Sequence, residues 1–135
     1  MKKFVRILTL ALALLMLLAT LAACAPAKDP DKAVEALEKA EYLVNKDTRI
    51  QPALFKVAGY DLTAVVSGTK LSDKEAVAIY YFADAENAKK ALEEVKKYAD
   101  EAKDDEEVDE KNWIAPTRSG KIIYFGTKGA IKAAR

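Results

Sequence analysis

The chain of 135 residues holds one cysteine, Cys24, and no histidine, and these two facts bound its chemistry more tightly than any motif. Lack of histidine removes the commonest general base and the commonest neutral metal ligand together, and it excludes a Ser-His-Asp triad outright. A lone cysteine cannot close an intrachain disulfide, so its sulfur needs another role. Ser67-Gly68-Thr69-Lys70 sets a lysine three residues after a serine, a spacing at which an amine one helical turn away could activate the hydroxyl. Here the four residues fall where a strand enters a turn. Asp100, Glu101, Asp104, Asp105, Glu106, Glu107, Asp109 and Glu110 could offer oxygen ligands to calcium. They lack the glycine and alternate-position acids of a calcium loop, and a solvated charge run is the expected reading. Two carboxylates could meet in space as general acid and base, but no spacing selects a pair. No catalytic residue, metal or cofactor is assigned on these grounds.

The surroundings of Cys24 are more specific. Lys2, Lys3 and Arg6 precede an apolar run from Ile7 to Leu21, and Leu21-Ala22-Ala23 leads directly into the cysteine, the basic, greasy and small-residue zones of an export signal in that order. This stretch resembles the lipobox of bacterial lipoproteins. The resemblance covers the first 24 residues and implies diacylglyceryl transfer to the Cys24 sulfur, cleavage before it by a signal peptidase, and a lipoprotein that palmitate would label. It also implies attachment to the outer face of the cell membrane, or to the outer membrane of a cell that has two. The mature part looks like the small uncharacterised lipoproteins of bacterial envelopes. The same stretch also suits a transmembrane helix, because Ile7 to Ala27 is 21 residues without a charge, about a bilayer's span. Both readings send the remainder outward, since the basic residues stay inside.

Residues 24–135 hold 19 lysines and arginines against 21 acids, because Lys2, Lys3 and Arg6 fall before the cut. A net charge near −2 lacks the basic excess that nucleic-acid binding uses. The expected organisation is a signal peptide over 1–23, a lipidated cysteine and tether over 24–29, and one domain over 30–135. With no disulfide, that domain must rest on an apolar core.

Asp29-Pro30-Asp31 reads as a helix start, with Asp29 as cap and Pro30 at the first helical position, running to about Ala40. A short β-like run at Glu41 to Asn45 follows, and Pro52 is expected to open a single helical turn through Phe55. Leu62, Ala64 and Val66 alternate with Thr63, Val65 and Ser67 as a half-buried strand. Ala76 to Phe82, dense in apolar residues, reads as a central strand forming a hairpin with it. Asp84 can cap the next helix, whose stripe is Ala88, Ala91, Leu92, Val95 and Tyr98. Negative charge at a helix end opposes the dipole, so this helix is expected to stop between Asp100 and Glu106. A hairpin turning near Ser119-Gly120 and a short final helix capped by Thr127 complete the chain. Residues 100–111 carry net −6 and residues 112–135 net +5, so the acidic loop is expected near Lys121, Lys128 and Lys132.

The expected fold is α+β: a mainly antiparallel sheet of four to five strands, two main helices packed on one face, and a short C-terminal helix. With one face covered, the other would carry aromatics, and Trp113, Tyr81 and Tyr124 are the candidate binding residues. The expected function is a membrane-anchored, non-catalytic binding or interaction module, monomeric, for an envelope protein, peptide or glycan. The alternative is a small carboxylate-dependent enzyme acting on cell-wall glycan or peptide.

Overall fold

The computed structural model describes residues 25–105 and 110–135; Leu21, Ala22, Ala23 and Cys24 lie outside them. Among the described residues no helix is long and apolar enough to cross a membrane. In chain order the elements are α1 (Pro30–Lys39), β1 (Leu43–Asp47), α2 (Ile50–Val57), β2 (Leu62–Lys70), β3 (Glu75–Phe82), α3 (Ala85–Asp105), β4 (Trp113–Ser119), β5 (Ile122–Thr127) and α4 (Lys128–Ala133). The five strands form one sheet in the order β1-β2-β3-β5-β4, every neighbouring pair antiparallel. The chain is a single α+β domain, as its sequence pattern indicates.

Local signals act where they were expected at the two main helices. The Asp29 carboxylate accepts from the Asp31 N–H at 2.9 Å with Pro30 opening α1, and Asp84 accepts from the Asn87 N–H at 2.7 Å to start α3. Helix α3 runs through Asp105, and its expected stop by Glu106 falls at residues outside those described. Beyond Tyr98, Ala99 is buried and Ala102 half-buried on the same stripe, so sheet contact carries the helix through its acidic last turns.

The helices cover both faces of the sheet, which corrects the one-sided arrangement expected. Helices α1 and α4 bury Ala33, Leu37, Ala130 and Ile131 against Ala64, Val66, Val77, Ile79, Tyr81, Ile122 and Tyr124. Helices α2 and α3 bury Phe55, Ala88, Ala91, Val95 and Ala99 against Leu62, Val65, Tyr80, Phe82, Ile123 and Phe125. The central strands are apolar at nearly every position because both of their faces are covered. A bulge at Thr63, whose hydroxyl donates to the Tyr81 carbonyl at 2.9 Å, shifts the β2 register. Leu62 therefore faces α2 and α3 while Ala64 and Val66 face α1, where strict alternation would have put all three together.

Three further expectations change. Helix α2 begins at Ile50, two residues before Pro52, because Asp47 takes up its first amides. Thr127 does not cap α4 with its own side chain. The Glu75 carboxylate does so from β3, accepting from the Ala130 N–H at 3.0 Å and from the Thr127 hydroxyl. Ala25 to Ala27 is no loose tether: Pro26 is buried and both alanines pack on the α1–α4 core. The Ala27 N–H donates to the Ala134 carbonyl at 2.8 Å, and the Tyr81 hydroxyl donates to the Ala27 carbonyl at 2.8 Å.

Candidate functional site

Among the described residues, two layers of helix over one sheet leave an opening on the α2–α3 side. Helix α2 lies along the β1–β2 edge and α3 over β4 and β5, so between them the middle of the sheet is open. The resulting cleft has a volume of about 340 Å³. Ser67, Thr69, Ala78 and Tyr80 line its floor, Asn45, Asp47 and Gln51 one wall, and Tyr98, Glu101 and Trp113 the other.

Aromatic rings frame it. Seven of them, Tyr60, Phe55, Phe82, Tyr98, Tyr80, Phe125 and Trp113, are chained through centroid separations of 5.7 to 6.2 Å. Most of this seam is interior, and the half-buried Tyr98 and Trp113 are where it reaches the cleft wall. Burial, with the Tyr98 hydroxyl nearby as a smaller cause, pushes the Tyr80 hydroxyl well above the ordinary tyrosine value. It stays protonated at any physiological pH.

Asp47 lines the cleft and also builds its wall. One carboxylate oxygen accepts from the Arg49 and Ile50 N–H groups at 2.8 and 2.9 Å, and the other accepts from Gln51 at 2.9 Å. Those backbone bonds, Gln51's first and Arg49's next, hold the carboxyl below the usual carboxylate range. Among the described residues the buried Gln51 amide oxygen accepts no hydrogen bond, a state that costs free energy unless something else supplies a donor.

The candidate residues separate. Trp113 stands at the cleft, half-buried against Phe125 at 5.9 Å. Tyr81 and Tyr124 are 3% and 4% exposed beneath α1 and α4, on the other face, so the three form no common surface. Burial, and secondarily the Asp29 charge, raises the Tyr81 hydroxyl far above its ordinary value. Ser67 and Lys70 point to opposite faces: the serine lines the cleft, whereas the lysine pairs with Asp73 at 3.3 Å and lies over the Tyr42 ring. They do not meet. Among the described residues no three acids or cysteines gather as a metal site. Lys128 and Lys132 belong to α4, across the sheet from α3, and Lys121 lies in the turn between β4 and β5 at the opposite end from Trp113. The described acids at the end of α3 therefore have no such basic neighbours.

Sequence reasoning missed Asn45, Asp47, Gln51, Thr69, Tyr80, Tyr98 and Glu101 as cleft residues. The β1-to-α2 turn held the one usable signal, an aspartate just before a helix. Comparison with protein-family models, with curated proteins and with solved structures finds no match for this chain.

Proposed function

We propose that the chain is a bacterial envelope lipoprotein, exported and held to the outer face of the membrane through lipid on Cys24, that binds a ligand in the α2–α3 cleft without transforming it. The observation that carries the binding reading is the cleft itself. Its volume of about 340 Å³ falls in the range of small-ligand sites, with aromatic walls and a few convergent polar groups. Support for a non-catalytic role is that, of the two carboxylates among the described lining residues, Asp47 and Glu101, Glu101 alone is free for proton transfer, which is no acid–base pair. Asp47 is spent as a helix cap and held ionised, so it is a poor proton donor, and Tyr80 is too weakly acidic to serve as a base near neutrality. Ser67 has no amine beside it. The Leu21-Ala22-Ala23-Cys24 pattern supports the anchor.

Two measurements test the proposal. The full chain, purified in detergent, is incubated with peptidoglycan fragments and followed by mass spectrometry: retention without new products fits a binding module, and products would favour the carboxylate-dependent enzyme. Metabolic labelling with an alkyne fatty acid should mark the wild type and leave Cys24→Ala blank. Unchanged membrane attachment and size in that variant would favour a transmembrane helix.

A further inference from the structure

We infer that the cleft selects an organic ammonium group, whether a free amine or the amine of a peptide side chain; this rests on the reading of the cleft as a binding site. The inference starts from a mismatch of charge. Among the described residues two carboxylates, Asp47 and Glu101, line the cleft, and no lysine or arginine does. An anionic ligand would find no countercharge there.

The α3 side of the cleft adds no positive charge: Glu101 and Ala102 are its lining residues beside Tyr98. The acids Asp100 and Asp104 of the same helix are exposed. The opposing positive feature, the N-terminus of α2, is already engaged by Asp47 through three amides.

Hydrogen-bond supply points the same way. The Gln51 amide oxygen is buried without a donor among the described residues, and a rotation of this wall side chain would present it to a ligand; a carboxylate ligand only accepts. An ammonium brings up to three donors and a positive charge in one compact group. Trp113 and Tyr98 line the same cleft, and aromatic rings attract a cation within about 6 Å of their faces. A neutral sugar would bring donors and leave Glu101 without a countercharge.

The test is an amide and indole NMR titration of the detergent-purified full chain with four probes. These are spermidine, the peptide acetyl-Ala-Lys-Ala-amide, the same peptide acetylated on its lysine Nζ, and chitotriose. The expected result is saturable shifts at Ser67, Thr69 and the Trp113 indole with spermidine, with the lysine peptide, or with both, the pair showing whether free or peptide amines are preferred. Glu101→Gln should weaken that binding about tenfold or more. Because Glu101 is exposed, the fold should survive. Gln51→Leu should weaken binding too without lowering the melting temperature, since it deletes an acceptor that has no partner in the free protein. If acetylated peptide or chitotriose shifts the same residues as strongly as the amines, or Glu101→Gln leaves affinity unchanged, the ammonium assignment is overturned and the cleft remains a binding site. If none of the probes moves cleft residues, both readings fall.

Discussion

The two faces of the sheet solve the same burial problem with different materials. Beneath α1 and α4 the core is built mainly of aliphatic and small side chains, with Leu37, Val66, Ile79, Ile122 and Ala130 at or near zero exposure. Even Gly68 fits closely there, since a Cβ on it would come within 3.1 Å of the Leu37 side chain. Beneath α2 and α3 the core is largely aromatic. Helix α2 lies along the β1–β2 edge and α3 over β4 and β5, so this face keeps an opening between them. The lesson is that two equally buried cores differ in outline: one closes over the sheet, and the other, with Ala88, Ala91, Val95 and Ile123 at zero exposure, still leaves a cleft beside it.

The sharpest way to break this comparison is truncation in the closed face. Ile79→Ala removes a fully buried side chain from the central strand and should cost about 2–5 kcal/mol in denaturant unfolding; a loss under about 1 kcal/mol would mean that face is looser than described. Glu75→Ala comes next. It deletes the acceptor for the Ala130 N–H and the Thr127 hydroxyl and should cost about 1–3 kcal/mol, with faster amide exchange confined to α4. Exchange unchanged there would show that α4 stands by packing alone. Tyr81→Phe loses only the bond to the Ala27 carbonyl and should cost about 0.5–1.5 kcal/mol, releasing residues 25–27 to proteolysis first. Trp113→Ala sharpens the contrast from the other side: half-buried at the cleft, it should lower stability by no more than about 1–2 kcal/mol while abolishing ligand-induced shifts. A larger stability loss with binding intact would reverse its role.

The smallest effect is in pH. Asp47 has a folded-state carboxyl below its ordinary value, so its contribution is complete at neutral pH and disappears as pH falls through that lowered value. The open face should therefore loosen first in acid, seen as α2 amides exchanging before those of α1. Asp47→Asn should flatten that dependence.

Much of the fold was legible because its signals are local. Asp29-Pro30 and Asp84 open helices by chemistry contained within a few residues, and the apolar density of Ala76 to Phe82 marks the middle of a sheet. What stayed hidden depends on distant partners. Glu75 caps α4 from more than fifty residues away, and no spacing announces that. The bulge at Thr63 flips Leu62 to the other face, a change a strictly alternating reading cannot see. Trp113 could be named in advance because a lone tryptophan near a strand start is conspicuous. Asn45, Gln51 and Thr69 become cleft residues only when β1, β2 and α2 are assembled around them.

The bond between the Ala27 N–H and the Ala134 carbonyl has a topological consequence. It brings the two ends of the described chain together, so the domain is close to a closed ring. A short Gly-Ser linker from residue 135 to residue 25 should join them without distorting either face, and the tight turn at Gly120, with its φ of +60°, offers an exposed place to reopen the ring. A permuted chain of that kind should fold with the same sheet order. It would also move the start of the chain from the α1–α4 side to the tip of the β4–β5 hairpin, a different position relative to the cleft.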